Sequence, residues 1–344
     1  MHINVQPLFI LPRGASLKYA LFVGEMLIDF IPAPLGPEGT LAYQPHPGGA
    51  VANAAVALAR LGGAARFVGK LGEDSFGRLL LRVLRDNRVD TRFVPTSTRG
   101  NTTMVLVTLR EEGQREFAFY RQGTADTLLE AREISRPAWE DVVLCHAGSV
   151  LLASEPACSA TLAALDKARQ LGLTTSFDVN ARPALWDSEE ALRILLGQVV
   201  GRIDLLKCSA EEAHYLATTA REPFEAADTQ VLRTFAESLL ARGVALVIIT
   251  RGALGTLLVN QRAYVEVPAL SVQALDTTGA GDAFIGAALY QLLLNERGSA
   301  SQLGALEAEE LRALGIFANR AAGLSCTRYG GIASLPLLAE VEQE

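Results

Sequence analysis

Asp276-Thr277-Thr278-Gly279-Ala280-Gly281-Asp282 runs directly into Ala283-Phe284-Ile285-Gly286-Ala287-Ala288-Leu289, and the fold is read outward from this stretch. Two threonines suited to capping, a Gly-Ala-Gly turn and then an apolar run at helical spacing describe a loop that feeds a helix N-terminus. Such an end carries unpaired N–H groups and the positive end of the helix dipole. A phosphate therefore fits against Gly279, Ala280 and Gly281 with no side chain in the way. Asp282 has two readings. A first-turn acid commonly stabilises the helix start through the dipole, and beside an anion pocket it can instead take a proton from whatever attacks the phosphate.

The 344 residues are 49% hydrophobic, enough for one large α/β domain or a core with a small appendage. A net charge of -7 argues against a general nucleic-acid or anionic-membrane binder, since both need a surplus of Lys and Arg. An anionic partner must then be met by a local pocket. Cys145, Cys158, Cys208 and Cys326 form no CxxC pair, which fits reduced thiols in a cytoplasmic protein, and the histidines have no zinc-site spacing. No apolar run approaches the roughly 20 residues that span a bilayer. Residues 1–18 hold only Leu8-Phe9-Ile10-Leu11 between two prolines, too short for a signal-peptide core, and read as a disordered N-terminal extension.

Tyr19-Ala20-Leu21-Phe22-Val23 reads as a buried first strand, with Asp29 expected beyond its carboxyl end, where open parallel sheets collect ligand-binding groups. Prolines at 32, 34, 37, 45 and 47 argue against a regular core element over 31–47. Gly48-Gly49-Ala50-Val51-Ala52-Asn53 opens a second small-residue helix, to about Leu61, whose glycines let a ligand approach the backbone or simply let the helix pack tightly. Thr102–Leu109 and Glu116–Tyr120, joined by the polar turn 111–114 and closed by Arg121, read as a β-hairpin forming a lid. Regular strand-then-helix alternation follows, with an edge hairpin expected at Gly255–Asn260 and Arg262–Val267 and a short helix at Ser209–Leu216. This pattern predicts a mostly parallel sheet covered by helices on both faces. Asp29, Asp178, Asn180, Arg182, Lys207, Ser209, Glu212, Thr250, Gly252 and the 276–282 loop then fall at strand ends on one side, an assembly suited to attack of an alcohol on a phosphoryl group. Taken singly, Ser209 is equally a plain N-cap, Glu212 a first-turn acid and Arg182 a surface charge.

The segments Gly48–Asn53 and Asp276–Asp282, in this order and spacing, resemble the two signatures of the ribokinase-like (PfkB) carbohydrate kinase family over about residues 20 to 340. Within it the chain is most similar to fructokinases, on Gly24-Glu25-Met26-Leu27-Ile28-Asp29-Phe30, Phe119-Tyr120-Arg121, Ala125-Asp126, Phe177-Asp178-Val179-Asn180 with Arg182-Pro183-Ala184-Leu185-Trp186, and Lys207-Cys208-Ser209-Ala210-Glu211-Glu212. The resemblance implies a Rossmann-type kinase domain over 19–340, with lid segments at about 31–47 and 98–124, that moves a phosphoryl group from ATP to the primary hydroxyl of a sugar. D-fructose is the expected acceptor; 2-keto-3-deoxygluconate is the nearest alternative, and a catalytically silent binding protein the non-enzymatic one.

In that reading Asp282 is the base and Gly279, Ala280 and Gly281 hold the transferring phosphoryl. Asp29, Gly48, Gly49, Asn53, Arg121 and Arg182 hold the sugar. Asn180, Lys207, Ser209, Thr250, Gly252, Gly255 and Asn319 hold the nucleotide, and Glu212 orients water on Mg2+. Many members have Asn where Ser209 stands. Asp276, Thr278, Ser325, Arg328, Gly330 and Ser334 match a monovalent-cation (K+) site, mostly through backbone carbonyls. A small-molecule sugar is the expected partner, with no nucleic acid or membrane, and the lid offers a homodimer contact.

Overall fold

Short apolar runs ended by glycine or polar residues supply the strands. The computed structural model describes residues 18–36, 39–109, 115–217, 223–295 and 299–343. The expected extension therefore lies outside the described residues except for Lys18, as does the turn at 111–114. In chain order the strands are β1 (Tyr19–Val23), β2 (Leu27–Ala33), β3 (Ala42–Gly48), β4 (Ala64–Val68), β5 (Leu71–Gly72), β6 (Thr96–Ser97), β7 (Met104–Leu109), β8 (Arg115–Tyr120), β9 (Val142–Gly148), β10 (Thr174–Asp178), β11 (Leu205–Ser209), β12 (Leu246–Thr250), β13 (Thr256–Asn260) and β14 (Tyr264–Val267). The helices are α1 (Ala50–Arg60), α2 (Ser75–Asp86), α3 (Ala157–Gln170), α4 (Glu189–Val200), α5 (Thr229–Leu240), α6 (Ala280–Leu294), α7 (Ala300–Gly304), α8 (Ala308–Cys326), α9 (Gly331–Ser334) and α10 (Leu338–Glu342).

Eight strands form the main sheet in the order β14-β13-β12-β11-β10-β9-β1-β4. From β12 to β4 every pairing is parallel, as the alternation predicted, and only β13 runs against the rest, pairing antiparallel with β12 and with the edge strand β14. Alternate residues of a buried strand face opposite sides of the sheet. On β12, Leu246 and Ile248 accordingly pack into the core shared with α1, α6 and α8, while Val247 and Ile249 join the core built with α4 and α5. The carboxyl ends of β1, β9, β10, β11 and β12 consequently open on one side of the molecule.

Small residues set the distance between α1 and α6. A Cβ on Gly286 would lie 2.5 Å from Ala57 Cβ and 2.7 Å from the Ala54 carbonyl oxygen. No larger residue fits there, so the backbones touch and the amino ends of the two helices stand side by side.

The first lid segment is more regular than expected. The hairpin β7-β8 belongs to a four-stranded sheet in the order β3-β2-β7-β8, and β2 and β3 occupy much of the proline-rich segment read as irregular. Pro45 and Pro47 sit on β3, an outer strand with one free edge, where a missing N–H is tolerated. Asp29 consequently lies within β2, paired opposite His46, and not in a loop after β1. The helix expected at 209–216 shrinks to a single 3-10 turn, Ala213–Tyr215.

Candidate active site

Gly279 adopts the left-handed conformation (φ 83°) at the head of α6, which tips the preceding loop away and leaves the helix end open. Neither threonine caps it; the N-cap is Gly279 itself and no side chain accepts from the first turn. Of the three amides expected to hold an anion, that of Ala280 already donates to the Thr277 carbonyl at 3.2 Å. Gly279 and Gly281 line the cleft, and their N–H groups meet no acceptor among the described residues.

Asp282, in the first turn of α6, is buried, and its Oδ2 accepts a 2.7 Å hydrogen bond from Asn53 Nδ2 on α1. Burial pushes the Asp282 carboxyl above its ordinary pKa, against the Asn53 hydrogen bond and the charges of Lys207 and Arg182. A raised carboxyl is a stronger base than an ordinary aspartate, which suits a group that must pick up a proton.

Two adjoining hollows meet at this point. One, of about 370 Å3, is lined by Asp29, Asn53, Arg182, Asp282 and, from the lid, Val105, Phe117 and Phe119. The other, of about 610 Å3, is lined by Ser209, Glu212, Thr250, Gly252, Gly255 and Asn319. Asn180, Lys207, Thr277 and Gly281 border both. Asp29 is pushed up to about 6 by burial, with Arg182 opposing and Asp282 adding to the shift. Gly48 makes room for it, since a Cβ there would sit 2.2 Å from Asp29 Oδ2.

Lys207, midway along β11, donates through Nζ to Asp178 Oδ2 at 2.8 Å, and both are buried. Burial alone would lower the Lys207 pKa, but Asp178, Glu212 and Asp282 hold it above the usual value, so it remains a cation. Its Nζ lies 2.8 Å from where a Cβ of Gly281 would be, so the ammonium reaches the head of α6 only because residue 281 is glycine.

Glu212 serves the backbone first. Its Oε1 accepts from Ala181 N at 2.7 Å and its Oε2 from Ser209 N at 2.9 Å, while Ser209 Oγ accepts in return from Glu212 N at 3.2 Å. Asn180, at φ 33°, is held at the bend between these segments, its carbonyl accepting from Ser149 Oγ. Asn319 ties α8 to the sheet edge, accepting from Thr256 Oγ1 at 2.6 Å and donating to the Val267 and Pro268 carbonyls.

Arg121 departs from expectation. It does not line the cleft; it is buried with Nε donating to Asp126 Oδ2 at 2.8 Å and Nη1 reaching Ser154 Oγ at 3.4 Å. A guanidinium at the base of the lid finds its carboxylate five residues along the chain, and the pair is buried. The residue that lines the cleft from this neighbourhood is Glu25, to which the sequence reading gave no role. Glu25 Oε1 accepts from Ala50 N at 2.7 Å, so the amino end of α1 is closed by a side chain of the protein itself. Its Oε2 is buried without a partner among the described residues, and burial pushes its pKa up to about 7. A carboxylate directly after the first strand was the only sequence signal for it.

The six positions matched to a monovalent cation come from two segments that Asp276 joins. Asp276 Oδ1 accepts from Thr278 N at 2.9 Å and Oδ2 from Gly330 N at 3.1 Å. The Ser325 and Ser334 hydroxyls turn inward to the Ala322 and Gly331 carbonyls, and the Arg328 guanidinium pairs with Glu340. Among the described residues no three His, Cys, Asp or Glu side chains converge on one point. A divalent ion here must take most of its ligands from elsewhere.

The sequence matches the pfkB family carbohydrate kinase pattern over residues 17–338. It is 38% identical to fructokinase-1 of Zea mays over 332 residues, which cover 96% of this chain and 98% of that protein. Among solved structures, the fructokinase of Xylella fastidiosa with bound ATP superposes with a TM-score of 0.83 at 32% identity, covering 95% of this chain and 97% of that one. The fructokinase of Vibrio cholerae O395 with bound fructose, ADP and calcium gives a TM-score of 0.79 at 30% identity, covering 95% and 98%.

Proposed function

The chain belongs to the pfkB family of carbohydrate kinases, and on that premise we propose that it phosphorylates the primary hydroxyl of D-fructose with ATP, giving D-fructose 6-phosphate and ADP. The observation that carries the reading is Asp282 at the head of α6, buried beside the open amides of Gly279 and Gly281 and across a sugar-sized hollow from Asp29.

In this reaction Asp282 takes the hydroxyl proton as the sugar oxygen bonds to the γ-phosphorus, and the bond to the bridging oxygen of ADP breaks. The amides of Gly279 and Gly281, with the Lys207 ammonium, hold the negative charge of the phosphoryl group in flight. Asp29, Asn53 and Arg182, with the backbone at Gly48 and Gly49, bind sugar hydroxyls, and Phe117 and Phe119 cover them. Thr250, Gly252, Gly255 and Asn319 form the nucleotide hollow, with Asn180 and Ser209 nearer the phosphates. Mg2+ would be held by ATP phosphates and water, one water oriented by Glu212, and it would neutralise charge on the phosphates. K+ would sit at the loop that Asp276 joins, on carbonyls from Asp276, Thr278, Ser325, Arg328, Gly330 and Ser334. Equal rates in sodium, potassium and tetramethylammonium buffers would remove that last assignment.

Fructose is favoured over an acidic sugar because Arg121 is spent on Asp126, leaving Arg182 and Lys207 as the cations that line the sugar hollow. The enzyme is placed in the cytoplasm with its ATP. It pairs through the lid, where β8 is an outer strand with Phe117 and Tyr120 exposed. ADP release measured over a panel of sugars tests the acceptor. Fructose should give the highest kcat/KM, and a preference for 2-keto-3-deoxygluconate would overturn the assignment.

A further inference from the structure

We propose a second binding site, for a phosphorylated polyhydroxy metabolite such as a hexose phosphate, in the hollow at the carboxyl end of α1. The hollow is about 490 Å3, within the size range of small-ligand sites, and lies at the far end of α1 from Asn53 and the catalytic cleft. Three guanidinium groups line it, those of Arg60, Arg88 and Arg328. None of them has a part in the sugar or nucleotide hollows.

The charges are unevenly matched. Arg60 is half-buried, and its hydrogen bonds go to neutral acceptors, Asn87 Oδ1 at 2.7 Å and the Leu335 carbonyl at 2.6 Å. Burial lowers its pKa first and the neighbouring Arg328 second, with Glu340 opposing, as expected of a cation held beside a like charge. Arg328 is paired with Glu340, and Arg88 is exposed with no side-chain partner among the described residues. With Asp86 also on the wall, three positive groups face two negative ones, a surplus that a phosphate would neutralise.

Guanidinium forks match phosphate oxygens in bidentate fashion, which makes a phosphate ester the best-fitting anion. The volume exceeds what a phosphate alone fills, and Asp86 and Asn87 add acceptors for hydroxyl donors. That combination of a basic end and a neutral or acidic end selects an organic phosphate bearing hydroxyls.

The test is calorimetric titration of the full chain, its catalytic cleft filled by a nonhydrolysable ATP analogue, with glucose 6-phosphate in one arm and inorganic phosphate in the other. The block does not depend on which sugar is the acceptor. The hexose phosphate should bind at one site per chain, and more tightly than phosphate. Arg60→Met and, separately, Arg88→Asn should each weaken it by roughly tenfold or more, the scale of a lost charged hydrogen bond. Arg88 stands at φ 62°, a conformation Asn accepts, so this variant keeps the fold even if Arg60→Met does not. No binding in either arm, equal affinity in both arms, or affinity unchanged in Arg88→Asn would overturn the proposal.

Discussion

Asn53 and Asp282 are 229 residues apart in sequence, yet the Asn53 amide donates to the Asp282 carboxylate at 2.7 Å, and both side chains are buried. The bond joins the first turns of α1 and α6, so the amino ends of the two helices are fastened to each other.

Removing the donor should make the base harder to ionise. The Asn53 hydrogen bond favours charged Asp282, so Asn53→Ala should raise its pKa further, and the acidic limb of the kcat/KM profile should move to higher pH. A limb that stayed in place or moved to lower pH would show that another group limits the rate in acid.

Asp282→Asn should leave ATP and sugar affinities nearly intact while lowering kcat by roughly 10²-fold or more, the scale of general-base catalysis. Turnover like that of the parent would return Asp282 to the simpler role of a first-turn helix acid.

Gly48→Ala tests the seat of Asp29. The added methyl would arrive 2.2 Å from Asp29 Oδ2 and push the carboxylate out of place. The KM for the sugar should rise about tenfold or more while the KM for ATP stays nearly constant. Parallel changes in both constants would argue against a sugar-specific seat.

Glu25 makes stability depend on pH in a predictable sense. The folded chain keeps this carboxyl protonated up to about 7, whereas the unfolded chain ionises it near the ordinary 4.5. Between those values the folded state binds the extra proton, so this contribution is complete below the lower one and is lost as pH rises through the upper one. Glu25→Gln retains an acceptor for Ala50 N and removes the titration. The melting temperature of the parent should therefore fall relative to the variant as pH rises through that window, and parallel melting curves would refute the assignment.

These residues also show which parts of the site the sequence exposes. The turn at 279–281 is legible because small residues, an acid and an apolar helix are contiguous, and the strand-end residues follow from the parallel alternation. Arg121 misled because its partner, Asp126, is a matter of side-chain direction within a bend, which residue type does not report. Glu25 was missed because its meaning depends on meeting Ala50 N, a contact made only after β2 and β3 have carried the chain out and back to the start of α1. The strands of the first lid segment were missed for a related reason: prolines weigh against a strand in isolation, and only an outer position in a sheet excuses them.

Asp29 and Asp282 ride on different bodies, one on a strand of the four-stranded sheet and the other on a helix packed against the large one. A ligand with enough hydroxyls to reach both carboxylates would therefore tie the smaller sheet to the larger one. On the proposed activity a hexose would do so and a lone water would not, and that difference would guard the nucleotide against futile hydrolysis.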